Sequence, residues 1–254
     1  QGLVENVQIL SSNLVSNGDF SQESSELVTN GDFATDTDWI KNGQVTIGGG
    51  VAYFDSDGTF TQIAQSISGV SGKNVKVVIE ITQYTQGTLK VLFSGGTQQN
   101  LPNSIGVHTL YFNNADSDTI NIARLGGVTN LKIDNISVKE VGQDWTLGGT
   151  ATIGDNLVNI NSPSGENAEV YQSSVLVVGR KYKLDCTLNK TSGDTQFVNG
   201  GTFILNNGSN VIQFTATDTR VYFKRGAGSV ISSITNISVI EITDDTNLPR
   251  INYE

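Results

Sequence analysis

Apolar and polar residues alternate with period two along much of the chain. Val75, Val77, Ile79 and Ile81 flank the polar or charged Lys76 and Glu80, and Tyr182, Leu184, Cys186 and Leu188 repeat the arrangement. Side chains two apart share one face of a strand, so this pattern predicts strands with one buried and one wet face. Clusters of Gly, Asn, Ser and Asp separate them at the spacing of a β-sandwich, and no stretch carries the 3.6-residue period of an amphipathic helix. Near the end of each half the alternation slips by one residue. Leu131 and Ile133 keep one phase and Ile136 and Val138 the other, with the break at Asp134-Asn135; Ile234 and Ile237 show the same break at Thr235-Asn236. Such a slip predicts a β-bulge, which re-aims a side chain.

The chain repeats itself. Trp39 to Gly48 has a counterpart 106 positions later in Trp145 to Gly154, and Gln65 and Gly72-Lys73 recur as Gln172 and Gly179-Arg180 at 107. Arg124 answers to Arg225 and Ile133 to Val141 answers to Ile234 to Ile242, both at 101. So small a drift means loop changes between preserved strands. The expectation is an all-β protein of two tandem antiparallel β-sandwich domains, of jelly-roll type, joined near Gly142-Gln143.

Composition supports this and narrows the chemistry. The chain has 254 residues with 28 Gly, 3 Pro and no Met, and only 16% are charged. A formal charge of −10 is the wrong sign for a phosphate backbone, so no nucleic-acid partner is expected. The longest apolar runs, such as Val175 to Val178, are too short to cross a bilayer and the start lacks a signal-peptide pattern, so no membrane insertion is expected. Without methionine, residue 1 is no translation start, which suggests a processed product or a segment of a longer chain. The single cysteine, Cys186, falls on an apolar strand face and reads as a small buried hydrophobe; His108 shares a face with Leu110 and Phe112. No nucleophile elbow, zinc motif, phosphate loop or CxxC pair occurs, and Gly48-Gly49-Gly50 reads as a turn. The acids Asp55, Asp57, Asp116 and Asp118 fall in turns rather than in a cleft pattern, so no catalytic residue and no enzymatic activity are expected.

Sugars stack on exposed rings and hydrogen-bond to amides and carboxylates. By that criterion the candidate ligand residues are Gln83, Tyr84 and Gln86 at a strand end, flanked by Gln98 and Gln99; the competing reading of Tyr84 is an ordinary strand-end ring. Trp39 and Trp145 occupy one repeat position at the start of an apolar strand and are assigned to packing. Asn135-Ile136-Ser137 lies within a strand, which disfavours glycan attachment there.

Leu27-Val28-Thr29-Asn30-Gly31-Asp32-Phe33, followed by Trp39 and closed by Ile133-Asp134-Asn135-Ile136-Ser137-Val138, resembles carbohydrate-binding modules of the family 4/9 type, which are galactose-binding-like jelly rolls. The resemblance spans the first copy nearly end to end and the second only from Trp145 onward, since no NGDF directly precedes that tryptophan. The similar phrase Leu14 to Phe20 reads as a duplicated lead-in strand, with pairing to a sheet edge or to a neighbouring subunit as the alternative. The organisation implied is a lead-in over 1–26, sandwiches over 27–142 and 143–243, and a linker over 244–254. The resemblance also implies a structural calcium in the first copy, held by Asp32, Asp134 and backbone oxygens, and none in the second, where Thr235 replaces Asp134.

LVTNGDF, DTDW and IDNISVKEV also resemble modules of bacteriophage tail and appendage proteins, in which a tail such as 244–254 leads into a further C-terminal module. This resemblance implies a non-enzymatic virion structural or adhesion protein. Its partners would be other virion proteins, copies of itself in a homo-oligomer such as a trimer, and host-surface glycan. The alternative is a carbohydrate-binding pair from a secreted bacterial polysaccharide-degrading enzyme or surface adhesin. Either places the chain outside the cell or on a virion.

Overall fold

A computed structural model describes residues 8–243. It holds twenty strands, and no helix occurs among the described residues. The first ten are β1 (Ile40–Asn42), β2 (Val45–Gly48), β3 (Val51–Ser56), β4 (Gln62–Ser66), β5 (Val75–Gln86), β6 (Leu89–Phe93), β7 (Gln99–Asn100), β8 (Gly106–Phe112), β9 (Thr119–Arg124) and β10 (Thr129–Glu140). The second ten are β11 (Thr146–Gly149), β12 (Thr152–Gly154), β13 (Leu157–Ser162), β14 (Ala168–Gln172), β15 (Lys181–Ser192), β16 (Thr195–Val198), β17 (Thr202–Ile204), β18 (Gly208–Thr215), β19 (Val221–Arg225) and β20 (Val230–Glu241). The first set forms antiparallel sheets in the orders β1-β4-β9-β6-β7 and β2-β3-β10-β5-β8. The second repeats both orders, as β11-β14-β19-β16-β17 and β12-β13-β20-β15-β18. The chain is therefore two jelly-roll sandwiches of one topology.

The alternating positions build the cores. Val75, Val77, Ile79 and Ile81 of β5 are buried against Phe54, Phe93, Ile120, Ile122 and Ile133, and each such side chain contributes roughly 1.5–3 kcal/mol by leaving water. In the second sandwich Tyr182, Leu184, Cys186 and Leu188 of β15 point inward. There Phe197 meets Phe214 edge-on at 4.9 Å and Phe223 at 5.3 Å. The bulges fall where the alternation slips. The register of β10 on β5 shifts between Asp134 and Ser137, and Asn135 and Asn236 take left-handed φ values of 51° and 53°, which Asn tolerates better than most residues.

The structure corrects one expectation. Leu14 to Phe20 is no lead-in to the first sandwich; it completes the second. The chain divides into a unit of residues 23–141 and a unit that joins the described residues 8–22 to those from Gly142 onward. In the latter, Leu14 N donates to Val239 O at 2.8 Å and Ile237 N to Gly18 O at 2.9 Å. In the former, Leu27 N donates to Val138 O at 3.0 Å and Ile136 N to Gly31 O at 2.8 Å. Two phrases that differ only in Ser16 against Thr29 cannot be told apart locally, and proximity in sequence favours the wrong partner. The expected linker over 244–254 lies outside the described residues.

Thr129 offers a test of the packing. It is fully buried, its hydroxyl has no hydrogen-bond partner among the described residues, and the repeat places the equally buried Val230 there. An unpaired buried hydroxyl costs about 1–3 kcal/mol. Thr129→Val should therefore stabilise the first sandwich by about 1 kcal/mol, read from denaturant unfolding followed at Trp39; a loss of stability would contradict the packing described.

Candidate functional site

The residues singled out for ligand contact do not converge. Gln83, Tyr84 and Gln86 lie on β5 in one sheet, whereas Gln99 lies on β7 in the facing sheet, with Gln98 just before it. Tyr84 is half-buried and packs against the core. Gln98 accepts a hydrogen bond from Lys90 at 3.2 Å, and the Gln99 amide donates to Tyr111 O at 2.5 Å. Gln99 also lines a recess of about 160 Å³ with Phe93, Tyr111, Asn113 and Asp116. Asp32 caps its own turn by accepting from Ala34 N at 3.3 Å, and Asp134 accepts from Asn135 N at 2.6 Å.

Trp39 and Trp145 are packing residues, each 6% exposed. Trp39 stacks obliquely on Phe33 at 5.7 Å and Trp145 on Phe20 at 5.2 Å. Their indole N–H groups donate to the backbone of the preceding NGDF phrase, at Asn30 O and Asn17 O, each 3.0 Å away. Among the described residues no group of three His, Cys, Asp or Glu side chains is placed to hold a metal ion. His108 has Nε2 2.7 Å from Ser104 O. Cys186 is 3% exposed, and burial pushes its thiol up to about 12, helped by the neighbouring Asp185.

The surface cluster with the most chemistry was not singled out from sequence. It lies on the outer face of the sheet β11-β14-β19-β16-β17. Alternation turns Val170 and Gln172 of β14 inward and Glu169 and Tyr171 outward; on β19 it turns Val221 and Phe223 inward and Tyr222 and Lys224 outward. The register sets Tyr171 directly opposite Tyr222 and Glu169 opposite Lys224. The two half-exposed rings meet edge to face at 6.1 Å. The Arg220 guanidinium lies 5.6 Å from the Tyr171 ring and 5.0 Å from that of Tyr222.

Arg220 is held in this pose by Asp218, whose Oδ2 accepts from Nε at 3.0 Å and from Nη2 at 2.6 Å. Those bonds keep the Asp218 carboxyl below the usual carboxylate range. Tyr222 donates its hydroxyl to Glu169 Oε2 at 2.5 Å, and burial followed by that carboxylate pushes the phenol up to about 12. Gly148 leaves room for the arrangement, since a Cβ there would lie 2.6 Å from Glu169 Cγ. The result is a fixed cluster of two nearly perpendicular rings beside a carboxylate and a guanidinium. Apolar ring faces flanked by oriented polar groups suit a ligand with both C–H and hydroxyl faces.

The first sandwich carries no such ring pair. Its repeat positions for Tyr171 and Tyr222 are Ala64 and Asn121, which pair across β4 and β9. A comparison of the two copies strand by strand, seeking differences instead of matches, is the signal that would have exposed the tyrosines.

No family model matches the chain, and no curated protein matches it. Among solved structures it is similar to the tandem CBM22-1–CBM22-2 domain of Paenibacillus barcinonensis Xyn10C, at 10% identity and a TM-score of 0.32, over 93% of this chain and 98% of that one. It is also similar to a CBM4 structure, at 17% identity and a TM-score of 0.29, over 49% of this chain and 98% of that one. A triple jelly roll from the turret of an archaeal virus gives 15% identity and a TM-score of 0.24, over 81% of this chain and 59% of that one. Likenesses at these values transfer no function.

The thiol gives a direct check on the reading of Cys186. With its pKa near 12 the thiolate fraction at pH 8 is on the order of one part in ten thousand. The folded protein should therefore not react with a disulfide reagent such as DTNB at pH 8 and should release one equivalent on unfolding. Rapid labelling of the native chain would show the thiol accessible and ionised.

Proposed function

We propose that this chain is a non-catalytic glycan-binding protein and that its second sandwich makes the sugar contact, through Tyr171, Tyr222, Glu169 and Arg220. The observation that carries this reading is the pair of partly exposed rings set opposite each other on the outer face of the sheet, with a guanidinium pinned beside both. A pyranose ring can lay its C–H face on one tyrosine ring, against the edge of the other, while its hydroxyls meet Glu169 and Arg220. The first sandwich, with Ala64 and Asn121 at the matching positions, then serves as scaffold. As part of a virion such a face serves attachment to host glycan, the setting favoured by the LVTNGDF and IDNISVKEV phrases and the one to which self-assembly, for instance as a trimer, belongs. In a secreted polysaccharide-degrading assembly it serves substrate targeting.

A glycan array followed by calorimetry on the full chain tests the assignment. Tyr171→Ala and Tyr222→Ala should each lower affinity at least tenfold, about 1.4 kcal/mol, with unfolding midpoints little changed. Binding that survives both substitutions, or that follows substitutions at Gln83, Tyr84 or Gln99, would move the site elsewhere.

The calcium expectation becomes a proposal with a structural basis in the repeat. In the second sandwich the Thr235 hydroxyl donates to Asn156 O at 2.8 Å and approaches Asp19 O at 3.4 Å. The repeat puts Asp134 at the place of Thr235, with Asp32 and Gly50 at the places of Asp19 and Asn156. An ionised carboxylate has no proton to offer those carbonyls, and a hard divalent cation, which takes six to eight oxygens, fits that donor set. Asp134 would supply the carboxylate and Asp32 its backbone oxygen. Calcium should raise the melting temperature reported by Trp39 in the full chain, and Asp134→Thr should abolish the response. An unchanged Trp39 transition in saturating calcium and in chelator would refute it.

A further inference from the structure

We propose that β20 of the second sandwich, from Ile237 to Glu241, is a docking site for a separable extended segment, filled by residues 8–22 of the same chain, and that residues 23–141 are a complete sandwich inserted into the loop behind that segment. Four kinds of bond that hold residues 8–22 recur at the matching places of residues 23–33 in the first sandwich. Val239 N donates to Asn13 Oδ1 at 3.0 Å and Glu241 N to Ser11 Oγ at 2.8 Å; Val138 N donates to Glu26 Oε1 at 2.7 Å and Glu140 N to Ser24 Oγ at 2.9 Å. The buried amide of Gln172 grips Ser16 from both sides, accepting from its N–H at 3.0 Å and donating to its carbonyl at 3.0 Å. Gln65 does the same to Thr29, at 2.9 Å and 2.9 Å.

The loop after the strand locates the insertion. In the first sandwich five residues, 34–38, separate Phe33 from Trp39. In the second, Ser21, Gln22, Gly142, Gln143 and Asp144 make the same five once residues 23–141 are set aside. The internal bonds of the loop survive the interruption. Asn30 Oδ1 accepts from Thr35 N at 3.2 Å and its amide donates to Thr37 O at 2.9 Å, while Asn17 Oδ1 accepts from Gln22 N at 3.1 Å and its amide donates to Gln143 O at 3.2 Å. Asp38 and Asp144, each just before its tryptophan, take φ values of 67° and 72°. The break in the loop thus falls between the places of Thr35 and Asp36. The inserted sandwich closes on itself there, because Glu23 and Val141 form an antiparallel bridge.

The strand of the second sandwich is therefore attached by non-covalent contacts, with covalent continuity only through a whole foreign domain. Its occupant is defined by chemistry: a segment reading Leu-Val-polar-Asn-Gly-Asp-Phe, whose glycine alone permits the approach to the bulge. A Cβ at Gly18 would lie 2.0 Å from Ile237 O.

Two experiments on the full chain test this, and neither involves a sugar. In the first, specific protease sites are placed at the Gln22/Glu23 and Val141/Gly142 junctions and both are cut without denaturant. Native mass spectrometry should find residues 1–22 bound to 142–254, with displacement by excess synthetic peptide 8–22. Recovery of 1–22 free, or bound to 23–141 alone, would overturn the proposal. In the second, Trp39→Phe leaves Trp145 as reporter and Trp145→Phe leaves Trp39. Gly18→Ala should lower the Trp145-reported melting temperature by about 10 °C and leave the Trp39 transition in place, and Gly31→Ala should do the converse. A Gly18→Ala effect on the Trp39 transition, or on neither, would also overturn it.

Discussion

Each sandwich hangs on one close approach between a glycine and the peptide that follows the bulge of its last strand. Gly31 accepts from Ile136 N at 2.8 Å, and a Cβ on it would stand 2.1 Å from Ile136 O; Gly18 and Ile237 repeat the contact. The glycine thus touches both the N–H and the carbonyl of one residue, which it can do only without a side chain, and only where the bulge has turned that residue's backbone toward it. Bulge and turn are therefore conditions for each other. Once they meet, the phenylalanine two residues on is carried beneath the tryptophan, and the indole N–H closes on the turn carbonyl. The buried glutamine then pairs with strand backbone that a sheet partner would otherwise satisfy, which explains a polar side chain only 5% or 6% exposed at the same place in both cores.

Against that shared frame the differences between copies become informative. The two sandwiches share the glycine, phenylalanine, tryptophan and glutamine of this clamp, and they part company on the outer face of one sheet, where Ala64 and Asn121 stand for Tyr171 and Tyr222. Folding does not require the tyrosines there, since the first sandwich has the same strand order without them. Nor does stability obviously favour two rings left half-exposed. The Asp218–Arg220 pair, with side chains 38% exposed on both partners, is worth little as a surface ion pair. Its consequence is geometric, in that it fixes a cation over two ring faces before any ligand arrives. Pre-organisation of this kind is what a binding surface needs and a scaffold does not.

Much of this was legible in the chain. The period-two pattern located the core of β5 and β15, and the displacement of about a hundred residues disclosed the duplicate topology. The phase slips at Asp134-Asn135 and Thr235-Asn236 marked the bulges because burial on one face makes register visible in hydrophobicity. The clamp of the second sandwich was not legible, since Leu14–Phe20 and Leu27–Phe33 are near-identical and local sequence carries no information about which distant strand each will meet. Nor was the tyrosine pair. Tyr171 and Tyr222 stand on strands about fifty residues apart in sequence, each the one ring facing outward on its strand, and only the pairing of β14 with β19 makes them neighbours. The placing of Gln83 and Gln99 has the same origin: they are near in sequence, yet β5 and β7 belong to opposite sheets.

The nested order of the chain also bears on how it can fold. Asn13 and Val239 are 226 positions apart, and closing so long a flexible loop carries an entropic penalty that grows as (3/2)RT ln n. That penalty is largely removed if residues 23–141 fold first, because the bridge between Glu23 and Val141 brings the two flanking segments together. The first sandwich has its own clamp immediately ahead of its own tryptophan, so it needs nothing from the rest of the chain. Its completion turns a distant pairing into a loop of five residues, the length with which the first sandwich itself begins. Insertion at this point is tolerated for the same reason: the loop it interrupts is held by the Asn17 side chain from both sides of the break, not by continuity of the backbone.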